Sequence, residues 1–349
     1  MQWQDRCIDP DQSILKALKK MDALGGKLLL VLRDQIYIGV LSIGDIQRAI
    51  LQGMNLEQPL STAMRDSNLY AEPSTSIEDV KKMVLKYRME FCPVVDGQHH
   101  IVEVFFWEDF FPSLDRSIYT SLKLPLVIMA GGMGTRLNPL TKVFPKPLLP
   151  VGEHTILEEI AARFLKYDCH EIHLALNYKA DLIKNFLKNV PLPVDWHFYQ
   201  EPSSLGTAGA LALMKHAIHT PFFVSNCDIL IQEDLSQIYE FHRQQRNIMT
   251  IVSALKHIPI AYGTLQTGKD GTLRSINEKP ELTFQINTGV YLLEPELLGW
   301  IPDNSFYPMT KLIDEIIQKG YPVGVYPVSE KSWIDIGEMD LYKKYISGI

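Results

Sequence analysis

Residues 126–151, LVIMAGGMGTRLNPLTKVFPKPLLPV, constrain the fold of this chain more than any other stretch. An apolar strand runs directly into Ala130-Gly131-Gly132-Met133-Gly134-Thr135-Arg136. Three glycines in four positions let the backbone approach a ligand and turn N–H groups toward it, which suits phosphates. Two familiar phosphate loops are excluded. A dinucleotide fingerprint needs a glycine where Leu137 stands, and a Walker loop needs a G-K-[ST] that is absent. Arg136 follows the glycines at once, and Lys146 comes ten residues later between Pro145 and Pro147. Two cations aimed at one glycine loop suggest a polyphosphate clamp, with Lys142 outside it.

Beyond the loop, strand-like and helical runs alternate: TILEEIAARFLKYD, EIHLALN, KADLIKNFLKN, VDWHFYQ, AGALALMKHA and PFFVSNCD. That order predicts an α/β fold, a mostly parallel sheet covered by helices on both faces. Ligands collect at the carboxyl ends of strands in such sheets. Asp228 ends the apolar run FFVSNCD, well placed to hold Mg²⁺ against a triphosphate.

The first third has a different rhythm. Asp11–Gly26 reads as a helix stopped by glycines, Lys27–Ser42 as two strands turning at Arg33–Asp34, and IGDIQRAILQGM as a second helix. About sixty residues later Ser74–Met89 reads as a helix, and CPVVDGQHHIVEVFF as a strand pair turning at Asp96–Gly97. WEDFF then starts a further helix. A helix–hairpin–helix unit occurring twice should pack as a pseudo-symmetric pair. The polar stretch Pro112–Lys123 is the expected linker, giving domains at 1–118 and 122–349.

Composition narrows the function. A net charge of −7 argues against a nucleic-acid binder. Cys7, Cys92, Cys169 and Cys227 form no C-x-x-C pair, so no disulfide framework or zinc site is expected. The ten histidines show no H-E-x-x-H or similar ligand spacing, and His99 and His100 fall in a hairpin turn. The N-terminus lacks a signal peptide and no apolar stretch suits a membrane span, so a soluble cytoplasmic protein is expected.

The N-terminal repeat resembles a tandem CBS-domain module, on Gly39–Ile50 (GVLSIGDIQRAI) and the second-copy PVVD of Pro93–Asp96, with coverage from about Asp5 to Pro112. The resemblance implies that Ser42 and Asp45 bind the ribose of an adenine nucleotide. Phe106 stands where the second copy would place its hydroxyl, three before Asp109, so at most one intact cleft is implied. Paired modules of this kind also imply a homo-oligomer, a dimer by default, and dimerisation without sensing is the competing role.

G-G-x-G-T-R-L followed by P-K-P-L-L-P-V resembles the signature of the sugar-1-phosphate nucleotidyltransferases, a group that includes mannose-1-phosphate guanylyltransferases. The likeness runs from about Pro125 to Tyr345 and implies a Rossmann-like mixed-sheet domain. It implies that Ala130, Gly131, Gly132, Gly134 and Thr135 bind nucleotide. Gly206 and Thr207 would lie at base or ribose, with Gln200 and Glu201 nearby, Gln200 counted among the nucleotide-binding residues. Trp333-Ile334-Asp335-Ile336-Gly337 resembles the other metal-holding segment, making Asp335 the partner of Asp228 toward Mg²⁺. Gly263, Glu278 and Asn287 would contact the sugar, and Lys279 its phosphate. Arg136, Lys146 and Lys279 would carry the catalysis. The implied reaction moves a nucleotidyl group from an NTP, GTP by the L-G-T-A-G form, to a hexose or hexosamine 1-phosphate, for surface-glycan or nonulosonic acid synthesis. UTP, dTTP or CTP are the alternative donors, and a non-catalytic nucleotide sensor is the alternative class. Cys227 departs from the small residue, commonly glycine, usual at its position.

Overall fold

The computed structural model describes residues 3–65, 69–87, 89–111 and 119–347. Most of the expected linker, residues 112–118, lies outside them. The chain forms two compact units, Met1–Ile118 and Tyr119–Ile349.

In the first unit the expected repeat is present. Helix Ile14–Leu24 starts at Ser13, whose hydroxyl accepts from Lys16 N–H, and stops at Gly25 in the left-handed conformation. The hairpin Leu28–Arg33 and Ile36–Ser42 leads into helix Ile43–Leu51. The second copy supplies helix Ile77–Tyr87, strands Phe91–Val95 and Ile101–Phe106, and the short helix Trp107–Phe110. The copies join through Tyr37 N–H to His99 C=O at 2.7 Å and the Ile36–His100 bridge. Leu30 and Tyr37 from the first copy pack with Phe91 and Val95 from the second, a shared core neither copy could bury alone.

The second unit is built on a seven-stranded sheet. Its order is Asp195–Gln200, Glu171–Leu176, Leu126–Ala130, Phe222–Asn226, Glu281–Leu293, Met249–Pro259, Val323–Val328. The first four strands are parallel. The long strand Glu281–Leu293 is antiparallel to both its neighbours, so the sheet is mixed.

Both faces are buried, which is why the central strands read as unbroken apolar runs. Leu126, Ile128 and Ala130 face helices Ile156–Leu165 and Ala180–Leu187. Val127 and Ala175 face the opposite layer with Leu211, Leu312 and Ile316.

The AGALALMKHA run does not form one regular helix. A four-residue helix, Gly206–Gly209, passes into 3₁₀ geometry over Ala210–Met214. The cause is tertiary. Ala208 and Gly209 donate to Tyr307 C=O at 3.0 and 2.8 Å, fixing this turn against another segment.

Candidate functional site

The strand Leu126–Ala130 delivers the glycine loop to the carboxyl edge of the sheet, beside the end of Phe222–Asn226. A cavity of about 350 Å³ opens there. Gly131, Gly132, Gly134, Thr135, Arg136, Lys146, Gly206, Thr207 and Asp228 line it, together with Met129, Glu201, Ser204, Asn226 and Cys227. Ala130 does not: it is buried in the strand.

Gly134 is required by its surroundings. Its φ is +64°, and a Cβ there would stand 2.9 Å from the Thr141 methyl and 3.1 Å from Lys146 Cβ. The Thr141 hydroxyl donates to Gly134 C=O at 2.9 Å and ties the loop to the segment that follows. That segment carries Lys146 back under the loop. Its side chain is buried, and its ammonium is bonded to the Asp228 carboxylate.

The two carboxylates implied for a metal come together across more than a hundred residues. Strand Ile229–Ile231 pairs antiparallel with Trp333–Asp335, setting Ile229 opposite Asp335. Ile336 N–H donates to Asp228 C=O at 2.9 Å. A Cβ added to Gly337 would lie 2.6 Å from Asp228 Oδ2, 2.6 Å from Asp335 Oδ1 and 3.2 Å from Lys146 Nζ. The three side chains thus converge on one point, and only a residue without a side chain fits beside them.

Burial, and after it the charge of Asp228, raises the Asp335 pKa, against the pull of the Gly337 N–H, Lys146 and Arg136. The Cys227 thiol is pushed up to about 12 by burial and by the neighbouring Asp228 charge, so it remains a neutral thiol at ordinary pH.

Arg136 is exposed at the cavity mouth. It stands 4.0 Å from Asp228 and 3.4 Å from Glu338. Glu338 was not anticipated from the sequence, although it directly follows the W-I-D-I-G segment.

Of the two residues expected near the base, only one lines the cavity. Gln200 is exposed on the edge strand, accepts from Lys184 Nζ at 3.1 Å and does not line the cavity. Glu201 does line it. Its Oε2 accepts from Leu205 N–H at 3.0 Å, its Oε1 lies against Gly131, and burial raises its pKa. Thr207 lines the cavity and also accepts from Met309 N–H at 2.9 Å, capping helix Met309–Gln318.

The residues expected at the sugar lie outside this cavity. Glu278 reaches Gly263, where an added Cβ would meet its Oε2 at 2.7 Å. Lys279 is exposed, with φ +46°. Asn287 donates to Tyr291 OH at 2.8 Å and accepts from Gly289 N–H at 3.0 Å. None of Gly263, Glu278, Lys279, Asn287 or Asp335 is among the residues lining the glycine-loop cavity.

In the first unit, Ser42 and Asp45 line a cavity of about 560 Å³ with Lys27, Arg65, Tyr87 and Glu90. Ser42 starts helix Ile43–Leu51 in a reciprocal capping pair with Asp45. Burial would raise the Asp45 pKa, but hydrogen bonds from Ser42, Arg48 and Arg65 hold it below the usual carboxylate range. In the second copy Phe106 offers only its N–H, which donates to Asp109 Oδ2 at 2.7 Å.

A family model described as nucleotidyl transferase matches residues 126–348, and a CBS-domain model matches residues 4–52. The chain is 35% identical over 179 residues to the mannose-1-phosphate guanylyltransferase catalytic subunit beta of Drosophila pseudoobscura pseudoobscura, covering 49% of this chain and 48% of that protein. It is 28% identical over 246 residues to a UTP–glucose-1-phosphate uridylyltransferase of Synechocystis, covering 64% and 62%. The chain therefore spans between about half and just under two thirds of the length of these relatives. The crystal structure of HddC from Yersinia pseudotuberculosis superposes with a TM-score of 0.51 at 26% identity, covering 64% of this chain and 99% of that one.

Proposed function

The chain belongs to the nucleotidyl transferase family, and on that premise we propose that it transfers the nucleotidyl group of GTP to a hexose or hexosamine 1-phosphate, releasing pyrophosphate. The observation that carries the reading is the convergence of Lys146, Asp228 and Asp335 on one point beside the glycine loop, with Arg136 at the mouth. GTP and a mannose-type sugar are favoured by the guanylyltransferase relative, and UTP is the alternative that the uridylyltransferase relative keeps open.

An oxygen of the sugar phosphate attacks the α-phosphorus. The new P–O bond forms as the bond to the β-phosphate breaks, and pyrophosphate departs. That oxygen is already ionised at neutral pH, so no general base is needed; the demand is for positioning and charge stabilisation. Gly131, Gly132 and Gly134 let the phosphates approach the backbone. Lys146, held almost dry beneath the loop, stabilises charge developing at the α-phosphate. Arg136 holds the β,γ-phosphates as they leave. Lys279 orients the acceptor phosphate, and Glu278 and Asn287 contact sugar hydroxyls.

The two carboxylates fit Mg²⁺, since Asp228 and Asp335 offer hard oxygen donors aimed at a common point. Mg²⁺ bound there would neutralise phosphate charge. In the first unit, the cavity at Ser42 and Asp45 takes an adenine nucleotide that adjusts turnover.

Pyrophosphate release from the purified chain with Mg²⁺, measured over a grid of nucleoside triphosphates and sugar 1-phosphates, tests the reading. Release that requires both GTP and a hexose or hexosamine 1-phosphate supports it. Release with another triphosphate keeps the chemistry and overturns the base. No release with any pair, even with adenine nucleotide added, removes the transferase reading.

A further inference from the structure

Glu171, His173 and His197 take no part in the chemistry described above. His173 and His197 are 24 residues apart and fall side by side because the edge strand Asp195–Gln200 pairs in parallel with Glu171–Leu176, in the register His197 opposite His173. Glu171 and His173 share a face through the two-residue strand period. A ligand atom from each of the three residues lies within 4.8 Å of the other two. We propose that these three residues form a binding site for a divalent transition ion of the zinc class.

The donor set is two imidazole nitrogens and one carboxylate oxygen, which suits Zn²⁺ and its first-row neighbours better than Mg²⁺ or Ca²⁺. His173 is buried, with Nε2 at 2.9 Å from Glu171 Oε1 and Nδ1 at 3.1 Å from the Tyr199 hydroxyl. In the metal-free chain the Nε2 contact with Glu171 is a hydrogen bond donated by the imidazole. With the proton on Nδ1 donated to the Tyr199 hydroxyl instead, Nε2 would offer its lone pair to a metal taking that proton's place, the second-shell arrangement common to metal-bound histidines. The His197 ring stacks on His173 at 4.8 Å between centroids and is exposed. Tetrahedral ligands at zinc bond lengths sit roughly 3.3 Å apart, so the exposed His197 ring must swing by up to about 1.5 Å and turn out of its stack on His173 to close the set. A cavity of about 650 Å³ beside Glu171, Asp195 and His197 leaves the remaining position open to water.

Charge supplies a second argument. Asp195 pairs directly opposite Glu171 in the register, and like charges on neighbouring strands destabilise a sheet. A cation between the strands turns that repulsion into a cross-link at the sheet edge. The site is separate from the glycine-loop cavity. Glu171 and Asp195 begin their strands, whereas the loop lies at the carboxyl ends, so His173 and His197 stand about 10 Å back along the strands.

The experiment is a calorimetric titration of the chelator-stripped full-length chain with Zn²⁺ in excess Mg²⁺, with Co²⁺ as the spectroscopic probe. The expected result is one tight Zn²⁺ per chain and visible Co²⁺ absorption of a four-coordinate site. Glu171→Gln and His197→Ala should each weaken binding at least tenfold and abolish the rise in Tm that Zn²⁺ gives the parent chain. His197 is exposed, so the metal-free His197→Ala chain should melt where the parent does. Binding that survives both substitutions, no stoichiometric binding to the parent, or binding lost only on Asp228→Asn would each overturn the proposal.

Discussion

Gly337→Ala probes the convergence point directly. The added methyl would stand 2.6 Å from one oxygen of Asp228 and 2.6 Å from one of Asp335. Non-bonded atoms settle nearer 3.5 Å, so each carboxylate must retreat by roughly 0.5–1 Å. Neither is free to do so. Asp228 is bonded to Lys146 through its side chain and to Ile336 N–H through its carbonyl, and Asp335 Oδ1 accepts from Gly337 N–H at 2.6 Å. Overpacking of this kind costs about 1–3 kcal/mol, a fall in Tm of several degrees for a unit this size at roughly 2–4 °C per kcal/mol. A displacement near 1 Å costs on the order of 10²-fold in rate, so kcat should fall about 10–100-fold. The assay pairs steady-state pyrophosphate release with a thermal melt. Gly299→Ala is the control, because its added methyl meets open space and both readouts should stay at the parent values. Turnover of Gly337→Ala within about twofold of the parent would refute the claim that the two carboxylates must keep their present positions.

Three further substitutions bear on the same chemistry. Lys146→Ala removes the buried ammonium and should lower kcat by about 10²–10³-fold, the ~3–4 kcal/mol range of a deleted oxyanion donor, while Lys142→Ala should do little in the same assay. Asp335→Asn should abolish turnover yet raise Tm near pH 7 when no divalent ion is present. Its folded pKa is raised by burial and by Asp228, so stability is full below the ordinary carboxylate range and is lost as pH rises through the folded value. The gain should therefore vanish in melts recorded below that range. Lys279→Ala should raise KM for the sugar phosphate about 10–100-fold, the range for a charged hydrogen bond, and leave KM for the nucleotide unchanged; an effect on the nucleotide instead would move Lys279 out of the acceptor site.

What was legible in the sequence was what local chain geometry decides. The glycine loop, the strand running into it and the helix caps depend on neighbours in the chain, so their residue types declare them. The mixed sheet was legible in its parallel half, where strands and helices alternate, and less so in the antiparallel strand Glu281–Leu293, which no such rhythm marks. Gln200 and Glu201 differ by a single step. Strand alternation puts Gln200 outward toward Lys184 and Glu201 inward against Gly131, and the side chains alone do not say which of two adjacent amphiphiles turns in. Glu338 meets Arg136 across 202 residues, and Glu171, His173 and His197 assemble through strand register, so neither grouping leaves a spacing in the chain. The Ala208–Ala217 run reads as a helix by composition, but Tyr307 takes two of its N–H groups and tightens the turn.

The charges gathered at the loop carry one more consequence. Arg136 and Lys146 are the cations there, and each faces carboxylates: Asp228 is bonded to Lys146 and stands 4.0 Å from Arg136, Glu338 is 3.4 Å from Arg136, and Asp335 lies on the same point as Asp228. Glu201 also lines the cavity, and two cations against four carboxylates do not attract a nucleoside triphosphate, whose own charge is strongly negative. The lysine is already committed to Asp228, and an arginine at an exposed mouth is weakened by solvent screening. Nucleotide binding should therefore depend on a divalent ion rather than on the protein cations alone. Equilibrium binding of GTP to the chain should weaken at least tenfold when Mg²⁺ is replaced by a chelator, and Asp228→Asn should blunt that dependence while leaving binding in chelator no worse than the parent's. Equal affinity with and without Mg²⁺ would mean that Arg136 and Lys146 suffice, and that Asp228 and Asp335 are held together for a purpose other than metal.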